Sequence, residues 1–385
     1  MKAANLHFGF KVIIIAVSLF LFWHYISAWP WFILLGIATV AYRLFKHKQL
    51  KTRSPVYLLA ASLALSISVA EITLRAMGKN SGYKERTKNR VSQILFTSYR
   101  SAFNYNNSLF KYRPNQRNCG FKTAEFNYFK PANSFGYVDY EWPLQKTAKP
   151  RYLFFGDSFT EGVGAPLDSS YVAILRKLNA DSIQMYNAGI GGSDPCSEHM
   201  LFKKEIMPLY QPDRIYVAIN QSDIFDIIQY GGLERFTDNG EVQPRKGPWW
   251  EGLYARAYVI RLFVHQYRGL DWQFNTPQQA HVEEQQAFKK LETCMDAFHV
   301  LASRNGVECF FIFHPLRFEV ASQSLITAPL LAYAKQKGYH TVNILDTFIA
   351  NGMNAENANK YFWPVDGHHN SAGYRLFAEG LLQTL

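Results

Sequence analysis

The chain has 385 residues, 48% of them hydrophobic and 16% aromatic, which excludes wholesale disorder and allows a large core. Its formal net charge of +11 would suit an anionic partner, yet the cations cluster beside apolar segments, at 43–53 and again at 75–90. That placement, with no zinc-finger or RNP-type motif, points to a membrane and away from nucleic acid.

Between Lys11 and Arg43 lie 31 residues without a formal charge, against the roughly 20 that one bilayer span needs. Pro30, between Trp29 and Trp31, divides them into two short helices near 9–28 and 30–45; one long tilted helix is the alternative. A third uncharged run, Pro55 to Ala70, continues amphipathically to Met77, so residues 1–78 read as a membrane anchor of about three transmembrane helices. The connector Arg43 to Arg53 holds five cations and no acid, and is expected to stay in the cytoplasm. The chain is then an integral protein of the inner or plasma membrane, with everything after residue 77 in the periplasm. The basic stretch Arg75 to Arg90 favours the opposite orientation, but long domains cross largely regardless of charge.

Residues 79–149, rich in Asn, Tyr and Phe, read as an irregular connecting region. From residue 150 short apolar runs alternate with helical stretches. Strands are expected at 151–155, 183–190, 214–220, 307–313 and 341–345, and helices at 169–178, 196–209, 282–304, 320–337 and 371–384. Such alternation predicts an α/β fold with a parallel sheet covered on both faces, and ligands bind beyond the carboxyl ends of its strands. The insertion 224–283 carries Trp249, Trp250, Tyr254, Tyr258, Trp272 and Phe274. Tyr254, Tyr258, Leu262 and His265 have helical spacing, which suits packing on the body; sugar stacking or lipid contact is the alternative.

Four motifs fall at the expected strand ends. Gly156-Asp157-Ser158 follows the first strand, where glycine permits a tight turn and puts the serine near helix N–H groups that can meet an oxyanion. Asn187-Ala188-Gly189-Ile190-Gly191-Gly192-Ser193 follows the second, its small residues allowing close backbone approach. Ala218-Ile219-Asn220-Gln221-Ser222-Asp223 follows the third, with an amide able to donate to an oxyanion. Asp366-Gly367-His368-His369-Asn370-Ser371-Ala372-Gly373 precedes the last helix, and a carboxylate so placed can fix the tautomer of a catalytic histidine. Asn370 or Ser371 would also cap that helix.

The four blocks, in this order, resemble the SGNH/GDSL hydrolase superfamily over about 150–385. Upstream, Glu71-Ile-Thr-Leu-Arg75-Ala-Met-Gly78, Tyr112-Arg-Pro-Asn115 and Asn133-Ser-Phe-Gly136-Tyr137 resemble its membrane-anchored bacterial members. The resemblance implies a flavodoxin-like three-layer α/β/α domain. Ser158 would be the nucleophile, His368 its base and Asp366 the orienting carboxylate, with the Ser158 N–H, the Gly192 N–H and the Asn220 amide forming the oxyanion hole. Ala218 and Gln221 depart from the usual third block, which bears on the geometry of Asn220. Many members use Asp-x-x-His, which would nominate His369; the spacing His-x-Asn-x-x-Gly favours His368.

No metal or other cofactor is required by this chemistry. The expected activity is cleavage or transfer of an acyl ester, acetyl first, on a cell-envelope glycan or lipid. Water as acceptor gives an esterase; a sugar hydroxyl gives an O-acyltransferase, working with a membrane-protein partner. An inactive envelope scaffold or glycan-binding module is the non-catalytic alternative. The cysteines Cys119, Cys196, Cys294 and Cys309 form no CxxC pair. Cys309 reads as a buried thiol, and a Cys119–Cys196 disulfide is one pairing the sequence allows outside the cytoplasm.

Overall fold

The computed structural model describes Gly36, Ser54–Asn80 and residues 111–385 apart from 239, 241, 243–248, 251–252, 255–256 and 271–273. The expected spans near 9–28 and 30–45 lie outside these residues. The chain divides into two compact units, Met1–Ala102 with Lys246–Ala280, and Phe103–Arg245 with His281–Leu385.

In the first unit, helix α1 (Ser54–Asn80) covers the third expected span. Leu59, Leu63, Leu65, Ile67 and Val69 are exposed on it, while Ser68 and Glu71 are buried. Among the described residues no helix is long and apolar enough to cross a membrane. Glu71 accepts the Val259 N–H at 2.9 Å, at the start of the short helix Tyr258–Leu262. Tyr254, fully buried, meets His265 through its hydroxyl and packs between Trp250 and Phe274, so part of the aromatic insertion is ordinary core. Trp249 is 90% exposed.

The second unit begins with an antiparallel hairpin, β1 (Cys119–Lys122) and β2 (Asn127–Lys130), within the stretch expected to be irregular. The motifs at 112–115 and 133–137 turn out to be one folded element. The Tyr112 N–H donates to the Gly136 carbonyl and that of Asn115 to the Asn133 carbonyl. Only glycine fits at 136, since a Cβ there would stand 2.3 Å from the Tyr112 oxygen.

Five parallel strands follow: β3 (Arg151–Phe155), β4 (Gln184–Asn187), β5 (Arg214–Ile219), β6 (Glu308–Phe313) and β7 (His340–Asn343). Their order is β4-β3-β5-β6-β7, the flavodoxin-like arrangement whose switch point lies between β3 and β5. Leu153, Phe154, Phe155, Val217, Phe311 and Phe313 have no exposed surface, as strands covered on both faces require. Right-handed crossovers place α2 (Tyr171–Leu178) with the terminal helix Ser371–Leu381 on one face. On the other lie Pro195–Leu201 and the long helix Pro277–Arg304.

The expected boundaries shift where backbone geometry overrides hydrophobic pattern. The helix expected at 320–337 is two, Arg317–Ser322 and Ala328–Gln336, because Gln323 adopts a positive φ of 51°. Ile344 and Leu345, read as strand, open a helix, Ile344–Ala350, capped by the Asn343 side chain. The cysteine pairing also differs. Cys196 is bonded to Cys294, tying the two helices of that face, while Cys119 and Cys309 are buried thiols. Thiol titration of denatured, unreduced protein should therefore find two of the four cysteines, Cys119 and Cys309; four reactive thiols would contradict the bond.

Candidate active site

The turn that carries Ser158 leaves β3 through Gly156, whose φ of +153° and close neighbours admit no side chain; a Cβ would lie 2.1 Å from Thr160 Oγ1. Asp157 then caps the single helical turn Ser158–Glu161, accepting the Phe159 N–H at 2.9 Å. Ser158 stands at the first position of that turn, partly exposed, so its own N–H has no intrahelical acceptor.

Ser158 Oγ lies 2.7 Å from His368 Nε2, and His368 Nδ1 lies 2.5 Å from Asp366 Oδ1. With Asp366 accepting from Nδ1, Nε2 is left to accept the serine proton. Burial alone would raise the Asp366 carboxyl, but the bonds and charge of His368 outweigh it and hold the carboxyl below its ordinary value. The segment is shaped by Gly367, at φ +89°, and by a turn in which the Trp363 N–H donates to the His368 carbonyl. From the hairpin, Glu125 accepts the N–H groups of Val365 and Asp366 at 3.0 and 2.7 Å. Phe159 packs on the His368 ring, centroids 4.7 Å apart.

His369 points the other way. It has no exposed surface, and neither ring nitrogen has a hydrogen-bond partner among the described residues. Phe159, Phe348, Phe362, Tyr374 and Phe377 surround it, and burial pushes its pKa well down, so it is neutral filling. Asn370 caps the terminal helix, accepting from the N–H groups of Ala372 and Gly373.

The second motif forms a turn from Ile190 to Ser193, closed by the Ser193 N–H on the Ile190 carbonyl at 2.9 Å, with Gly192 at φ +80°. Among the described residues the N–H groups of Ser158 and Gly192 have no partner. Asn187 holds this loop to the turn after β3, donating from Nδ2 to the Thr160 carbonyl at 2.7 Å.

Asn220 sits at the end of β5 as expected, but its amide is engaged. Nδ2 donates to Asp157 Oδ2 at 2.9 Å and lies 3.2 Å from His314 Nε2, while Oδ1 accepts from the Ser222 N–H and hydroxyl, each at 2.7 Å. His314, just past β6, was not singled out by sequence; a titratable residue ending the apolar run 307–313 was the available signal. Burial lowers its pKa, so the neutral ring can accept the amide proton. Lys130 and Glu161, both buried beside Ser158's turn, were likewise not anticipated.

No protein-family profile matches the chain, and no curated protein does either. Among solved structures it is similar to a lipolytic protein of the G-D-S-L family from Desulfitobacterium hafniense DCB-2, at 14% identity and a TM-score of 0.38, covering 62% of this chain and 100% of that one. It is also similar to an acetylxylan esterase from Geobacillus stearothermophilus, at 14% identity and a TM-score of 0.38, covering 61% and 93%. A two-domain esterase active on acetylated mannans matches at 13% identity and a TM-score of 0.37, covering 61% and 48%. At this distance the function rests on the geometry of the site itself.

The two histidines give a sharp contrast. His368→Ala is expected to lower kcat/KM for an acetyl ester by about 10⁴-fold. His369→Phe, which keeps a ring in the cage, is expected to stay within about tenfold of wild type. The reverse ranking in steady-state assays would make His369 the base.

Proposed function

We propose that this chain is an SGNH-type serine hydrolase that cleaves an acyl ester, acetyl first, from a cell-envelope glycan or lipid. The observation that carries the proposal is the aligned chain Ser158 Oγ, His368 Nε2, His368 Nδ1, Asp366, at 2.7 and 2.5 Å. Ser158 Oγ attacks the acyl carbonyl while its proton passes to His368 Nε2. The carbonyl oxygen takes the negative charge and is met by the N–H groups of Ser158 and Gly192, each donor contributing on the order of 3 kcal/mol. Asn220 would join them by giving up its contact to His314, at 3.2 Å the longest its amide makes. His368 returns the proton to the departing alcohol, leaving an acyl-Ser158 ester. Water, deprotonated by His368, releases the acid; a sugar hydroxyl in its place makes the same residues an O-acyltransferase, with a membrane-protein partner as its natural acyl source.

Wild-type protein is expected to release acetate from acetylated glycans. Ser158→Ala should keep its fold by circular dichroism and lose activity by about 10⁴-fold or more. Activity near wild type in that variant would remove Ser158 from the mechanism. Product analysis with added glycan acceptor separates hydrolysis from transfer.

Membrane attachment and a periplasmic site belong to the same proposal. The uncharged residues 12–42 and the acid-free basic connector 43–53 support it. The Cys196–Cys294 disulfide supports an oxidising compartment. A reporter that works only outside the cytoplasm, fused after Leu385, should be active. Silence from it, with labelling of Lys46 to Lys51 from outside, would reverse the orientation.

A further inference from the structure

Glu161 ends the nucleophile turn and is only 1% exposed, yet the reaction above gives it no task. Its Oε2 accepts the Gly191 N–H at 2.7 Å. The fit is close on both sides: a Cβ on Gly191 would meet that oxygen at 2.7 Å and the Ser158 Cβ at 3.7 Å. A Cβ on Gly189 would stand 2.3 Å from the Glu161 nitrogen.

Behind Glu161 stands Lys130, without exposed surface, donating from Nζ to the Gly162 carbonyl at 2.5 Å. Burial lowers the Lys130 pKa and the Glu161 charge raises it; burial raises Glu161, with Tyr112, Lys130 and the Gly191 N–H opposing. A carboxyl and an amine this buried cost stability unless they are paired and hydrogen-bonded. Both Lys130 and Tyr112 come from the segment ahead of the sheet.

The turn Ile190 to Ser193 explains the use. Gly192 at φ +80° is the third residue of a type II turn, and the Gly191–Gly192 peptide is its central unit. Two glycines in those places carry almost no steric preference, so that peptide can rotate and redirect the Gly192 N–H. The Ile190 N–H is held by the Gly156 carbonyl at 2.9 Å and the Gly191 N–H by Glu161, which pins the entry to that unit.

We propose that Glu161 is a positioning residue that fixes the Gly191–Gly192 peptide so that the Gly192 N–H meets the oxyanion. The inference rests on the serine-hydrolase reading. Glu161→Asp keeps the charge opposite Lys130 but draws the carboxylate back by one methylene, out of reach of Gly191. Its kcat on 4-nitrophenyl acetate is expected to fall by about 10- to 100-fold, short of the loss on deleting a donor, with KM nearly unchanged. Affinity for phenylboronic acid, whose Ser158 adduct carries the same oxyanion, should weaken by the same factor as kcat/KM. The double variant Glu161→Gln with Lys130→Met keeps an acceptor at full reach and removes both buried charges, and is expected to recover kcat to within about threefold of wild type. Wild-type kcat in Glu161→Asp, or a double variant as impaired as Glu161→Asp, would overturn the inference while leaving the nucleophile assignment intact. A wild-type protein that neither hydrolyses the ester nor binds the boronate would overturn both.

Discussion

The Asp157 carboxylate ties together the two loops from which the site is built. Oδ1 accepts the Phe159 N–H at 2.9 Å; Oδ2 accepts Asn220 Nδ2 at 2.9 Å and lies 3.1 Å from the Ser222 hydroxyl oxygen. These groups leave the carboxyl ends of β3 and β5, the neighbouring parallel strands at which the strand order reverses. Hydrogen bonds to a carboxylate are worth roughly 1.5–3 kcal/mol each, so one side chain can set the spacing of both loops. Ser158 is thereby presented at the first position of a helical turn, where its amide has no intrahelical acceptor.

A second layer of support comes from outside the sheet. The hairpin that precedes it contributes Glu125 to the loop of Asp366 and His368, and Lys130 to the loop after Ser158. Phe126 packs against Trp363, whose ring N–H reaches the Gly164 carbonyl at 2.7 Å. Ser158 and His368 lie 210 residues apart in the chain, and these contacts restrain both at once. Rigid support of this kind lets a serine and a histidine hold hydrogen-bond distance without substrate, a precondition for proton transfer in the transition state.

Much of the sheet and the strand-end motifs could be read from sequence because each is local. A buried strand announces itself as an apolar run, and Gly156, Gly192 and Gly367 mark turns that require positive φ. What could not be read was non-local. Glu125 meets Asp366 across 241 residues and Cys196 meets Cys294 across 98, and no spacing rule links such pairs. Local chemistry also misled where two signals overlapped. Ile344 and Leu345 extend the apolar pattern of β7, but the Asn343 side chain caps a helix there and ends the strand. At Asn220 the amide was visible in the motif, whereas its engagement by His314 depends on β6 lying beside β5.

A crystal structure of the protein after reaction with a fluorophosphonate tests the central claim most directly. The account predicts phosphorus bonded to Ser158 Oγ, and a phosphoryl oxygen about 2.7–3.1 Å from the N–H groups of Ser158 and Gly192. His368 should remain between that centre and Asp366. Phosphorus on another residue, or a phosphoryl oxygen turned away from both N–H groups, would contradict it.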